Sequence, residues 1–231
     1  MPITNRAKAP KKPTSMKRFS LVPEPAQQEM YKALAALKPI ESKMSGAEVA
    51  EIAASLVLGA NDTVILACSG AGARIVRSDC NEVESTSTRW ESATIQAVKA
   101  LFHDPAATAL ICAGQLDAEP KGDDGYRAAF RFAACHKLPI LFLVANTLTL
   151  SRAQKLDLRT LYAEFGIPLF SVDSNDAIAA YRIATEALHN ARHHRGPCVI
   201  EALTVSGKGL RPVSSLDLLR DYMERHGNPP V

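Results

Sequence analysis

The chain has 231 residues, of which 47% are hydrophobic and 22% charged, with 12 Gly and 14 Pro. That balance excludes disorder throughout. Its longest unbroken apolar stretch, Leu138 to Ala145, is far short of the ~20 residues a membrane-spanning helix needs. The net charge of +3 hides an asymmetry, because Arg6, Lys8, Lys11, Lys12, Lys17 and Arg18 all precede the first acid, Glu24, and the remainder carries 21 basic against 24 acidic residues. A body of that charge has no electrostatic footprint for nucleic acid.

Residues 1–22 read as a disordered basic tail and residues 23–231 as one domain, large enough to bury roughly 70% of its unfolded surface. The tail has no apolar core of signal-peptide length, and the five cysteines show no CxxC pairing, so a reducing cytoplasm is the expected compartment. Taken in chain order, amphipathic spacing predicts helices over 46–58, 91–102, 126–137, 158–165 and 177–194. Compact apolar runs predict strands over 63–68, 108–113, 140–145, 169–172 and 199–203, of the kind buried on both faces of a parallel sheet. The last helix is the clearest, with Ala177, Tyr181, Ala184, Leu188 and Ala191 on one stripe. Ser174-Asn175-Asp176 offers N-cap oxygens, and Gly196-Pro197 stops the chain beyond it. Strands alternating with helices define the fold class as α/β, a single three-layer α/β/α domain with a mostly parallel sheet. Ligands of such sheets bind beyond the carboxyl ends of the strands, which directs attention to 69–74, 114–119, 146–150, 173–176 and 204–208.

Two stretches carry a specific likeness: Phe165-Gly-Ile-Pro-Leu-Phe-Ser-Val-Asp-Ser-Asn-Asp176, and Arg195-Gly-Pro-Cys-Val-Ile-Glu-Ala-Leu-Thr204. With the helix around Tyr181 between them, they resemble the alpha subunit of the thiamine-diphosphate-dependent 2-oxo acid dehydrogenases, the pyruvate and branched-chain type. Ala134 to Val144 resembles the helix and strand before that family's Asn-Asn pair. Residues 46–62 resemble its N-terminal Gly-Gln-Glu-Ala helix, and 216–227 the helix after its active-site strand. The resemblance implies a thiamine-diphosphate-binding fold, a cofactor held through Mg²⁺, and a site shared with a beta-type subunit.

The family's Gly-Asp-Gly turn supplies a carboxylate to the metal, and its Asn-Asn pair an amide oxygen. Here the first reads Gly114-Gln115-Leu116 and the second Asn146-Thr147, so the metal-ligand positions resemble Gln115 and Thr147. A neutral amide is a weak substitute for an anion beside a hard dication. Asp117 or Glu119 could supply a replacement carboxylate from a longer loop. Where the family has Tyr-Arg-Asp-His-Gly, this chain has Cys68-Ser69-Gly70-Ala71-Gly72. The family's glycine-rich segment shrinks to about 76–91, and its Tyr-Arg-x-x-Gly-His end reads Val205-Ser206-Gly207-Lys208-Gly209-Leu210.

Other motifs are weighed beside these. Ser69 to Arg74 after a strand resembles a phosphate loop, but Ile75 stands where a Rossmann pattern wants Gly or Ala, and a tight turn is the plainer reading. His189 and His193 share a helix face but lack a carboxylate-bearing HExxH pattern, so a basic helix end is favoured. Cys68 reads as a packing residue, and Lys208 could contact a phosphate as a point charge.

The resulting expectations are these. The degenerate cofactor-binding positions are Ser69, Gly114, Gln115, Asn146, Thr147 and Lys208, with no catalytic residue and no metal assigned. No cofactor is expected, and the chain is read as a non-catalytic structural or regulatory subunit. An active dehydrogenase subunit holding thiamine diphosphate with Mg²⁺ is the first alternative, and a binder of phosphate or nucleotide compounds the second. The expected partner is a second copy or a beta-subunit-like protein, with neither membrane nor nucleic acid.

Overall fold

The computed structural model describes residues 19–37, 46–67, 70–83, 89–115, 126–149, 158–194, 196–206 and 214–231. Its elements alternate through α1 (Glu24–Leu37), α2 (Glu48–Val57), β1 (Thr63–Leu66), α3 (Ala71–Val76), β2 (Asn81–Glu82), α4 (Arg89–His103) and β3 (Ala109–Gln115). They continue with α5 (Tyr126–Cys135), β4 (Ile140–Thr149), α6 (Leu158–Glu164), β5 (Leu169–Asp173), α7 (Ala177–His194), β6 (Cys198–Ser206) and α8 (Ser215–Arg225). Among the described residues no helix is long and apolar enough to cross a membrane.

The six strands form one sheet in the order β2-β1-β3-β4-β6-β5, with every pairing parallel. A parallel strand is covered by helices on both faces, so both alternating sets of side chains must be apolar. β4 shows this directly, since Ile140 through Ala145 are all buried. Leu141, Leu143 and Ala145 join the core under α1, α2, α3, α7 and α8. Ile140, Phe142 and Val144 join a second core under α4, α5 and α6. That second core is aromatic. Phe130 meets Phe142, Tyr162 and Trp90 edge-on at ring-centroid distances of 4.8, 5.1 and 5.4 Å, a geometry that adds about 0.5–1.5 kcal/mol per pair beyond area burial.

The predicted helix over 177–194 coincides with α7, and the five predicted strands are all present. Three elements lie outside the predictions. α1 buries Met30, Ala33, Leu34 and Leu37, a helical stripe inside what reads as the start of the domain. β2 is two exposed residues on the edge of β1 and has no pattern of its own. Residues 69–74, read as a tight strand-to-helix turn, overlap the short helix α3, which has no predicted range of its own.

α3 can sit where it does because α2 passes very close to it. A Cβ on Gly72 would lie 2.2 Å from the Glu48 carbonyl oxygen, so only a residue without a side chain allows the two backbones to meet. Ahead of α1, the chain lies against α8: the Leu21 amide donates to the Tyr222 hydroxyl at 3.1 Å, and Val22 is buried.

Gly72→Ala is therefore expected to destabilise the domain by about 3 kcal/mol or more, because backbone rather than a side-chain tip must yield. Gly196→Ala, with nothing within 4 Å of the added carbon, is the matched control and should shift stability by less than about 1 kcal/mol. Urea denaturation of both variants checks this, and equal midpoints would contradict the close approach.

Candidate functional site

The chain order of the helices decides where the sheet can hold a ligand. β1 is followed by α3 on one face, whereas its neighbour β3 is followed by α5 on the other. β4 is followed by α6 and its neighbour β6 by α8, again on opposite faces. Each such divergence opens a crevice at the carboxyl ends of the strands, and these are the places where open α/β sheets bind ligands. Gly114 and Gln115 end β3 at the first crevice. Asn146 and Thr147 lie on β4 at the second, paired in register with Leu203 and Thr204 of β6. Ser69, Lys208, Asp117 and Glu119 lie outside the described residues.

β3 reaches its crevice through an irregularity. Cys112 pairs with Leu143 and Gly114 with Val144, so Ala113 is an extra residue. Gly114 takes φ 68, a left-handed conformation that glycine adopts without strain. A bulge of this kind bends the strand and re-aims its last residues, and bulges recur beside binding sites.

At the second crevice a buried carboxylate holds three strands together. Glu201 is 6% exposed. Its Oε1 accepts from Asn146 Nδ2 on β4 and its Oε2 from Ser171 Oγ on β5, both at 2.6 Å. Both oxygens are thus satisfied, which a buried carboxylate requires. Tyr162 of α6 belongs to the same neighbourhood. Its hydroxyl is buried with no hydrogen-bond partner among the described residues, and burial, reinforced by the negative charge of Glu201, pushes the phenol above its ordinary range. On the opposite face of β6, Thr204 Oγ1 lies 2.8 Å from Ser174 Oγ and donates to the Gly46 carbonyl at 3.4 Å.

A second buried acid stands beside the first crevice. Glu51 on α2 is fully buried, and its Oε2 accepts from the Gly72 amide at 2.9 Å while Oε1 has no partner among the described residues. Burial, with Glu48 one turn away, pushes its carboxyl up to about 7. Glu48 is itself buried and accepts from the Gly46 amide at 2.9 Å. Cys112, on the strand beneath, is also raised by burial.

Sequence reasoning passed over Glu201, Ser171, Tyr162 and Glu51. Glu201 left a signal, since one acid inside Cys-Val-Ile-Glu-Ala-Leu, a run buried on both faces, must find partners. His189 and His193 do come together, with ring centroids 4.2 Å apart. Among the described residues no group of three or more His, Cys, Asp or Glu side chains could hold a metal.

Apart from the buried Glu51 and the Glu201 carboxylate, whose two oxygens are both engaged, the polar groups that the described residues offer at the crevices are neutral. They are the Thr147 hydroxyl, the Thr204 hydroxyl, which is engaged with Ser174 and the Gly46 carbonyl, and the Asn146 amide, whose nitrogen is committed to Glu201. A hard dication neutralising a diphosphate wants anionic oxygen. These residues by themselves do not fit a magnesium diphosphate.

The Dehydrogenase E1 component family matches residues 117–209, the span that carries β4, α6, β5, α7 and β6. The alpha subunit of the pyruvate dehydrogenase E1 component from Rhizobium meliloti (strain 1021) is 36% identical over 87 residues, covering 35% of this chain and 25% of the relative. The same subunit from Porphyra purpurea is 31% identical over 99 residues, covering 40% and 28%. The chain thus spans about a quarter of the length of the curated relatives it matches. A solved structure from Mycobacterium smegmatis, provisionally described as a thiamin diphosphate-dependent enzyme, is 19% identical with a TM-score of 0.45, covering 68% of this chain and 31% of that one. The chain is similar to E1 alpha subunits, as residues 165–176 and 195–204 implied. The expectation that it holds no cofactor is corrected by the family and subunit matches: residues 117–209 match the Dehydrogenase E1 component family and the curated relatives are E1 alpha subunits, the family whose resemblance implies thiamine diphosphate rather than no cofactor.

The raised Glu51 carboxyl fixes a pH dependence of stability. The unfolded chain releases this proton near the ordinary value of 4.5, while the folded chain keeps it to about 7, so stability falls as pH rises through that window, by up to roughly 3 kcal/mol. Glu51→Gln should match the parent near pH 4.5 and exceed its stability above pH 7. Denaturation midpoints at pH 4.5, 6 and 8 check this, and a pH-independent difference would contradict it.

Proposed function

We propose that this chain is an E1-alpha-type subunit of a thiamine-diphosphate-dependent assembly, holding part of the cofactor site at the carboxyl edge of its sheet. One observation carries the reading. The stretch that matches the Dehydrogenase E1 component family supplies both strands of one crevice, β4 and β6, and the polar chain Asn146–Glu201–Ser171 that fixes their ends.

The role that suits the neutral donor set is binding and organisation rather than proton transfer. Asn146 and Glu201 set the shape of the crevice, and Thr147 and Thr204 present hydroxyls along it. The anionic oxygen a magnesium diphosphate needs comes, in this reading, from outside the described residues or from a beta-type partner seated over the edge. Such a subunit is structural or regulatory within its assembly, and decarboxylation depends on the partner.

Calorimetric titration of the purified chain with thiamine diphosphate, with and without Mg²⁺, tests the reading. Binding is expected to be Mg²⁺-dependent and weak, and Gln115→Asp, which returns a carboxylate to the bulged end of β3, should tighten it about tenfold. No Mg²⁺-dependent heat from either protein would contradict the proposal.

A further inference from the structure

We propose that the opposite, amino edge of the sheet carries a second binding site, a pocket for a small organic anion in which Lys137 and Arg192 face an apolar lining. The cavity measures about 530 Å³ and lies between the last turns of α4, α5 and α7, within the size range of small-molecule sites. Leu101, Pro105, Leu138 and Pro139 form its apolar walls, and among the described residues no carboxylate lines it. Asp104, which precedes Pro105 in the chain, turns Oδ1 onto the Ala106 amide.

Lys137 is the telling residue. Three helices end in the same pair of hydrogen bonds. Leu138 N donates to Ala133 O and Lys137 N to Ala134 O after α5; Ile167 and Gly166 donate to Tyr162 and Ala163 after α6; Asn228 and Gly227 donate to Met223 and Glu224 after α8. The residue at the bend must take a positive φ, and Gly166 and Gly227 do so at 66 and 75°. Glycine is strongly preferred there because a Cβ is strained. At the α5 end the position is Lys137, at φ 50°, and it is the one non-glycine residue with positive φ among the described residues. Basic residues near helix carboxyl ends complement the dipole, which explains charge in a last turn but not a lysine in the seat that glycine fills twice elsewhere in the molecule.

Arg192 is aimed as well as charged. Its Nη2 pairs with Asp62 Oδ2 and its Nε donates to Thr108 Oγ1 at 3.1 Å. Asp62, with a side chain 2% exposed, is in turn fixed by the Thr108 amide at 2.7 Å and the Gly59 amide at 2.6 Å. The guanidinium is held rigidly at the pocket wall through these two bonds. Asp62 balances one of the two cations, so the site carries a net positive charge beside an apolar surface. Its ligand class is an anion on an apolar body, a carboxylate or a phosphate ester.

The full chain is titrated by calorimetry with octanoate, phenyl phosphate, inorganic phosphate and 1-octanol, and its melting temperature is recorded without ligand. Two variants accompany it: Lys137→Gly, and Ala106→Phe, which fills the mouth of the pocket from an exposed position. Saturable binding of octanoate, phenyl phosphate or both is expected, tighter than that of inorganic phosphate or octanol, and whichever binds identifies the head group. Lys137→Gly should weaken it about fivefold or more with an unchanged or higher melting temperature, and Ala106→Phe should abolish it. Absence of saturable binding below about 10 mM, equal affinity for octanoate and octanol, an unaffected Lys137→Gly variant, or a lowered melting temperature in that variant would each overturn the proposal. Lys137 and Ala106 both line the amino-edge pocket, so the effect of the two variants separates this site from phosphate binding at the carboxyl edge, and thiamine diphosphate binding should be unchanged in both.

Discussion

The carboxylate of Glu201 is the constraint on which the carboxyl edge depends. It sits inside a sheet covered on both faces, where an unpaired charge would cost several kcal/mol, and it is made tolerable by one donor from β4 and one from β5. Because those strands are its two neighbours, the single side chain fixes their relative positions just where the sheet opens toward ligand. Asn146 is thereby held in orientation, and Thr147 and Thr204, paired in register, follow from it. Removing one donor would leave a buried oxygen unsatisfied, the more damaging half of any hydrogen-bond deletion.

A comparable economy operates under the first crevice. Gly72 allows α3 to touch α2, and that contact places the Gly72 amide on Glu51. Burial, reinforced by Glu48 one helical turn away, makes Glu51 keep its proton to about neutral pH. Both crevices therefore combine a rigid parallel frame with a buried acid close to the ligand edge.

Much of the frame was legible in the sequence because two-sided burial leaves nearly continuous apolar strands, and because α7 carries an unbroken stripe between an N-cap cluster and a Gly-Pro stop. β2 was not legible, since two exposed residues paired along one edge need no pattern. α3 is read only as the exit of a strand-to-helix turn over 69–74, because six residues are too short to show a helical period. Four of the six candidate site positions, Gly114, Gln115, Asn146 and Thr147, do lie at the two crevices, because strand ends are legible once strands are. Glu201 and Ser171 went unread as a pair because they are thirty residues apart in sequence and meet only through the β5–β6 register. Substitution at ligand positions suggested a chain without a cofactor. That expectation rests on the ligand positions Gln115 and Thr147, on 68–72, on the shortened segment 76–91 and on 205–210, whereas the span that matches the Dehydrogenase E1 component family, 117–209, holds the entire β4–β6 crevice.

The central claim is that the carboxyl edge, at the β1/β3 and β4/β6 crevices, is where a thiamine-diphosphate-type ligand meets this chain. Mapping backbone amide shifts of the isotope-labelled protein on addition of thiamine diphosphate and Mg²⁺ tests it most directly. The account predicts shifts concentrated at Gly114, Gln115, Asn146, Thr147 and Thr204, with Lys137 and Arg192 at the far edge unmoved. Shifts absent from those five amides, or centred on the far edge, would contradict it.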